Sequence, residues 1–198
     1  MTDLENQDSY HLKIVKAIKA GQSAMCISSF PTSFTLIQDL ILQVIPAPEE
    51  GAPRIIVVCA DNLFAQELAN QLAPFIKVRD LTLDLLLEKG NKVKQRNDLY
   101  DGTEIIIGTS RRVCEMYFQN GFNISKLKLF IVLQMDVQVK YGWRGFIGRI
   151  AESLPKCKQL LFMENSNDER IENYVAEFMP IYQRIAIDLP INGQIINE

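Results

Sequence analysis

Residues 21–36 form the segment of the chain that most resembles a ligand-binding loop. The segment reads G-Q-S-A-M-C-I-S-S-F-P-T-S-F-T-L. Its small and apolar run at 24–28 predicts a strand, and from Thr35 onward the apolar residues recur at helical spacing. A strand, a loop and a helix in this order direct backbone N–H groups and a helix N-terminus towards a bound phosphate. The spacing therefore predicts the geometry of a phosphate loop.

The loop itself lacks the residues that phosphate chemistry requires. Such a loop needs glycines for close backbone approach and a lysine for charge, whereas residues 28–35 read S-S-F-P-T-S-F-T. We interpret it as a degenerate phosphate loop, with the positions Ser28, Phe30, Pro31, Ser33, Phe34 and Thr35. Thr35 has the alternative role of a helix N-cap. Phe30 and Phe34 could alternatively be core residues that fill the vacated space.

Composition limits the possible classes of protein. A length of 198 residues with 47% hydrophobic content fits one domain with a sizeable core. The net charge of −3 argues against a strongly nucleic-acid-binding domain. The four cysteines are far apart and form no C-x-x-C pair, so we expect neither a zinc site nor a disulfide framework. Without a long apolar run or a signal sequence, we expect no membrane contact and an intracellular, cytoplasmic location, with the nucleus left open.

Strand and helix patterns alternate along the chain, which predicts an α/β fold: a mostly parallel β-sheet with helices on both faces. The predicted strands are 24–28, 54–59, 77–83, 104–108, 129–133, 159–163 and 184–188. The predicted helices are the first amphipathic helix, which ends at Gly21, then 35–44, 61–72, 111–119, 143–154 and 168–178. Residues 84–99 are charged and predict one or two short helices around Gly90.

The order and spacing of several motifs resemble the N-terminal RecA-like domain of a DEAD-box RNA helicase. Gly21-Gln22-Ser23 resembles the family's G-[RQ]-D, and its A-x-T-G-S-G-K-T falls on residues 28–35. In that alignment the two glycines become Pro31 and Ser33, and the lysine becomes Phe34. The resemblance implies one degenerate RecA-like domain over 1–188, followed by a tail at 189–198 that resembles an interdomain linker. No second RecA-like domain follows in this sequence, so we expect that the chain alone is not a helicase.

The other family motifs fall at the expected positions in the sequence, but most of their residues are replaced. P-T-R-E-L-A falls on residues 60–65, and T-P-G-R falls on 109–112, keeping Thr109 and Arg112 and adding Arg111. The D-E-A-D-like segment is Leu133, Gln134, Met135 and Asp136, and the S-A-T-like segment is Met163, Glu164 and Asn165. The family's adenine-reading glutamine would lie close to His11, where the sequence has no glutamine.

These replacements predict a domain without catalysis. Phe34 cannot supply the ammonium group that neutralises β- and γ-phosphates, and Pro31 removes a backbone donor. Leu133 and Gln134 stand where two carboxylates would hold Mg²⁺. We expect no catalytic residue, no metal, no cofactor, no nucleotide binding and no enzyme activity. Asp136 is interpreted as a turn residue that makes local hydrogen bonds.

Three classes of function remain open at this level. The first is a non-catalytic domain that serves as a protein-interaction or scaffold module in an RNA-associated assembly, binding a protein partner or a second copy of itself. Its candidate anchors are Phe30, Phe34 and Trp143, although Trp143 could equally be a core residue. The second is a weak, ATP-independent RNA-binding module that uses Thr109, Arg111 and Arg112, unless the arginines are solvated residues at a helix start. The third is an ATPase with an unorthodox nucleotide site.

Overall fold

A computed structural model describes residues 3–29, 32, 34–49, 51–142 and 144–187. The strands are β1 Ser23–Ile27, β2 Ile55–Cys59, β3 Leu83–Leu86, β4 Ile105–Thr109, β5 Leu129–Val132, β6 Lys158–Met163 and β7 Tyr182–Ala186. They form one sheet in the order β3-β4-β2-β5-β6-β1-β7, and every neighbouring pair is parallel. The central strands β2, β4 and β5 are buried throughout, as their β-branched runs predict for a sheet that is covered on both faces.

Helices cover both faces of the sheet. They are α1 Asp3–Lys19, α2 Phe34–Val44, α3 Asn62–Val78, α4 Lys92–Tyr100, α5 Ser110–Phe118, α6 Met135–Lys140, α7 Arg144–Ala151 and α8 Glu169–Phe178. Helices α1, α2 and α3 contribute to one core cluster, and α4 to α8 contribute to the other. The predicted fold class is therefore confirmed. Among the described residues, no helix is both long and apolar enough to cross a membrane.

The prediction for residues 72–83 is wrong. We expected a helix ending near Leu72 and a strand over 77–83, whereas α3 continues to Val78 and the strand is Leu83–Leu86. Pro74 lies inside the helix on its exposed side. The helix continues past it because Leu72 and Ile76, one turn apart, both pack in the core. Burial of this apolar face outweighs the hydrogen bond that the proline removes.

Four smaller points of the sequence prediction also need correction. Residues 84–86, expected to be helical, belong to the edge strand β3, whose half-buried L-D-L-L gives a weak strand signal. Helix α6 was not predicted, because six residues are too few to show a clear period. Helix α2 begins at Phe34, so Thr35 lies in its first turn and is not the N-cap. The last strand lies at Tyr182–Ala186 instead of 184–188, and residue 188 lies outside the described residues.

An ionic network that includes the buried side chains of Arg54 and Glu104 fixes the sheet at the start of β2 and β4. The Arg54 side chain is 1% exposed, and its Nε donates to a carboxylate oxygen of Glu49 at 3.0 Å. This arginine lowers the pKa of Glu49. The buried Glu104 carboxylate accepts hydrogen bonds from the amides of Glu49 and Thr82, at 3.1 and 2.7 Å. The network lies at the edge of the sheet opposite to the strand ends where the predicted motifs lie.

Candidate functional site

The predicted motifs meet at the carboxyl ends of the strands, the edge at which open parallel sheets bind ligands. A cavity of about 160 Å³ lies there, beside the ends of β1, β5 and β6. It is lined by Tyr10, Ser28, Ser29, Thr32, Phe64, Gln134, Asp136, Val137, Phe162, Met163 and Glu164. The fold thus brings together described members of the degenerate phosphate loop, the D-E-A-D-like segment and the S-A-T-like segment.

The degenerate phosphate loop is hydrogen-bonded to β6 at its start, and Phe34 near its end is exposed. The amide of Ser28 donates to the Met163 carbonyl at 3.0 Å, which joins the start of the loop to the end of β6. Phe34 is 43% exposed, so the alternative that it is a core residue is wrong. Thr35 is also exposed. The predictions for Phe30, Pro31 and Ser33 lie outside the described residues.

In the D-E-A-D-like segment, alternate side chains point away from the cavity. Leu133 is buried in the core on the α1–α3 face, and Met135 is buried in the core on the opposite face. Gln134 lies between them in the left-handed conformation, with φ 53° and ψ 47°, which is uncommon for a residue other than glycine. Its buried Oε1 atom accepts no hydrogen bond and its side chain lines the cavity. This residue is therefore the segment's least satisfied polar group.

Asp136 links two of the motifs. Its side chain is 7% exposed, and Oδ2 accepts a hydrogen bond from the Asn165 amide at 3.1 Å. The D-E-A-D-like and S-A-T-like segments are therefore held together by one carboxylate. The interpretation of Asp136 as a turn residue with local hydrogen bonds needs correction, because Asp136 lies in the first turn of α6 and its partner is distant in sequence. Gln138 braces the same turn, because its Nε2 donates to the Leu133 carbonyl at 2.7 Å. Within the described ranges, no group of three His, Cys, Asp or Glu side chains could hold a metal ion.

The three candidate RNA-contacting residues lie at the start of α5, where two of them have structural roles. Thr109 caps the helix, because its hydroxyl accepts from the Arg112 amide at 3.4 Å. Arg112 is 7% exposed, donates to the Glu88 carbonyl and lies 3.5 Å from the Glu115 carboxylate. Arg111 is exposed, with Nη1 at 3.8 Å from the Glu88 carboxylate. Of the three, only Arg111 presents its charge to solvent, and an acid lies beside it.

Two further residues that the sequence analysis considered, His11 and Trp143, do not contribute to the described cavity lining. His11 Nε2 lies 2.8 Å from Asp39 Oδ2, so it joins α1 to α2 instead of lining the cavity. Trp143 lies outside the described residues. All four cysteines are free, and burial raises the pKa of each thiol, that of Cys157 to about 11.

The sequence interpretation missed six lining residues: Tyr10, Ser29, Thr32, Phe64, Val137 and Phe162. Ser29 and Thr32 lay inside the predicted loop, so their position was already indicated. Tyr10 reaches the site from α1, and no local pattern signals such a long-range contact. Burial raises the pKa of Tyr10, which keeps its hydroxyl neutral.

Comparison with known proteins finds similarity to RNA helicases. No family model matches the chain. It is 26% identical over 118 residues to the ATP-dependent RNA helicase RhlB of Pseudoalteromonas atlantica, covering 60% of this chain and 28% of that protein. It is 22% identical over 179 residues to the DEAD-box ATP-dependent RNA helicase CshB of Listeria monocytogenes, covering 87% and 41%. The chain thus spans less than half the length of these relatives.

Solved structures extend the similarity to the fold. A DEAD box protein from Methanococcus jannaschii superposes with a TM-score of 0.82 at 15% identity, over 90% of this chain and 49% of that one. A hypothetical ATP-dependent RNA helicase from Sulfolobus tokodaii gives a TM-score of 0.77 at 17% identity, over 89% and 51%. The chain therefore has the RecA-like fold of DEAD-box helicase domains, and its similarity to DEAD-box RNA helicases is consistent with their N-terminal RecA-like domain.

Proposed function

We propose that this domain is catalytically inactive and works as a protein-interaction module in an RNA-associated assembly. The main support is the size and charge of the cavity at the strand ends. Its volume of about 160 Å³ is small, since small-molecule sites usually measure about 300–1,000 Å³. Its described lining includes Asp136 and Glu164 and no Lys or Arg. A triphosphate in this position would face two carboxylates without a lysine to neutralise it.

The site also lacks the carboxylates that would hold the Mg²⁺ ion of a bound nucleotide. Mg²⁺ in phosphoryl-transfer sites is held by carboxylates and by the substrate phosphates. At the two positions aligned with those carboxylates, Leu133 is packed in the core and Gln134 offers only a neutral amide oxygen. Asp136 is engaged with the Asn165 amide. These contacts support a domain that neither binds nor hydrolyses ATP.

Exposed apolar side chains at the same edge support an interaction role. Phe34, at the start of α2, is 43% exposed, and Leu63, at the start of α3, is 78% exposed. Exposed apolar surface costs about 25 cal/mol per Å² in water, and such surface is stabilised when a partner covers it. RNA binding is supported less well, because Arg112 is buried and Arg111 lies beside Glu88.

The interaction role can be tested by mutating this edge. The double variant Phe34→Ala with Leu63→Ala should lose at least tenfold in affinity for the partner captured from RNase-treated extract, because truncating a residue that anchors an interface costs about 2 kcal/mol or more. The matched control is Val78→Ala, an exposed apolar residue at the far end of α3. Light scattering over a concentration range separates self-association from a different partner. A strictly monomeric chain whose capture profile is unchanged by the double variant would refute the proposal.

A further inference from the structure

The cavity at the strand ends has the charge pattern of a site for a cation. Asp136 is almost fully buried, whereas Glu164 is exposed, so one carboxylate lies inside the cavity wall and one lies near its opening. The buried Oε1 of Gln134 is a further acceptor that has no donor. The described lining offers no Lys or Arg to neutralise these oxygens. The cavity therefore presents two carboxylates, with no Lys or Arg in its described lining, to whatever enters.

The partial positive charge at the N-terminus of α2, the helix after the degenerate phosphate loop, disfavours a cation in the cavity. This effect is smaller than that of the two carboxylates. The N-terminus of α2 contributes about half a positive charge, which solvent and salt screen. Two full carboxylates outweigh this partial charge. The balance at the cavity therefore favours a positively charged group, the reverse of a phosphate site.

The walls and the volume restrict the shape of that group. Tyr10, Phe64 and Phe162 contribute aromatic rings to the lining, and such rings attract cations that lie over their faces. A volume of about 160 Å³ is comparable to cavities of about 150 Å³ that hold a benzene molecule. A planar guanidinium group is weakly hydrated, carries five N–H donors and stacks on aromatic rings, whereas an ammonium group is compact and strongly hydrated.

We propose that this cavity accepts an arginine side chain of a partner protein, with Asp136 and Glu164 as the acceptors. This proposal rests on the proposed interaction function and specifies the partner's chemistry. Phe34 and Leu63 would then contact apolar residues that flank the inserted arginine. An arginine between apolar residues is thus the recognition element that the domain's edge selects.

The test uses N-acetylarginine methylamide as the probe, with the N-acetylcitrulline and N-acetyllysine methylamides as matched neutral and ammonium probes. NMR titration of the whole chain should show saturable shifts at the amides of Ser29, Gln134 and Asn165 with the arginine probe, and much weaker shifts with the other two. Glu164→Gln should lower the affinity for this probe about threefold to fivefold, as for an exposed charge pair. The control is Glu172→Gln, an exposed glutamate on α8 that does not line the cavity and should change nothing.

Each outcome decides the proposal. Equal shifts with the citrulline probe, equal affinity for the lysine probe, or no shift with any probe would overturn the assignment to a guanidinium group. In those cases partner capture that depends on Phe34 and Leu63 would still support the interaction function. Saturable binding of ATP at the same amides would overturn both proposals.

Discussion

Phe34 shows most directly how one replaced residue changes what the site can bind. It stands where the resemblance places a lysine, and its ring is exposed at the first turn of α2. Asp136 shows the converse, because a residue that kept its letter holds two segments together through the Asn165 amide. At the scale of single residues, the proposed loss of phosphate binding rests on Phe34, and the Asp136–Asn165 hydrogen bond holds the neighbouring segments together.

Phe34→Lys should therefore not restore nucleotide binding. The new ammonium group would supply one positive charge, while Leu133 and Gln134 would still lack the carboxylates that hold Mg²⁺. Thermal unfolding with and without Mg-ATP should give the same Tm for this variant, as for Phe34→Ala. A nucleotide-dependent rise in Tm for Phe34→Lys alone would show that the lysine was the only missing element.

Asp84 makes a pH-dependent contribution to stability. Burial, followed by the nearby charge of Asp98, raises its pKa from 3.8 to about 6. The protonated form is favoured in the folded state, so the contribution is fully present below pH 3.8 and is lost as pH rises through about 6. Asp84→Asn should therefore raise Tm at pH 7 and leave it unchanged near pH 3.5. An equal effect at both pH values would contradict the assignment.

Asp168 provides the opposite control. Its hydrogen bonds from the Arg170 side chain lower its pKa from 3.8 to about 2. The stabilising contribution is present above pH 3.8 and is lost as pH falls through about 2. Asp168→Asn should thus lower Tm at pH 7, where Asp84→Asn raises it.

At the scale of elements, α5 is attached to the loop after β3 by a buried guanidinium. Arg112→Ala should lower the free energy of unfolding by about 1–3 kcal/mol, because it leaves the Glu88 carbonyl without its donor. Arg111→Ala should change it by less than about 0.5 kcal/mol, because Arg111 is exposed. Urea denaturation measures both. Similar losses for the two variants would contradict the different roles assigned to them.

The elements that could be predicted from sequence are those with strong local patterns. The β-branched run of β2 and the apolar periodicity of α2 identified both elements to within one or two residues. Edge strand β3 escaped prediction because half-burial mixes polar residues into it, and α6 because it is one and a half turns long. The motif alignment singled out Gln134, Asp136 and Glu164. Their meeting at one cavity, and the arrival of Tyr10 from α1, depend on long-range packing.

At the scale of the whole molecule, the stabilising ionic network and the candidate binding cavity lie at opposite ends of the strands. The ionic network of Arg54 and Glu104 lies where β2 and β4 begin, and the cavity lies where β1, β5 and β6 end. Most of the core residues lie on the strands and on the helices that cover the sheet. The proposed loss of nucleotide binding is therefore compatible with a stable fold.

Isothermal titration calorimetry of the chain with ATP and with ADP, each with and without Mg²⁺, measures whether the domain binds nucleotide, which the proposed function denies. We predict no saturable heat at any concentration up to millimolar ligand, because the site lacks a lysine at Phe34 and a carboxylate pair at Leu133 and Gln134. A saturable, Mg²⁺-dependent isotherm with a micromolar Kd would contradict the account and identify the chain as a nucleotide-binding domain.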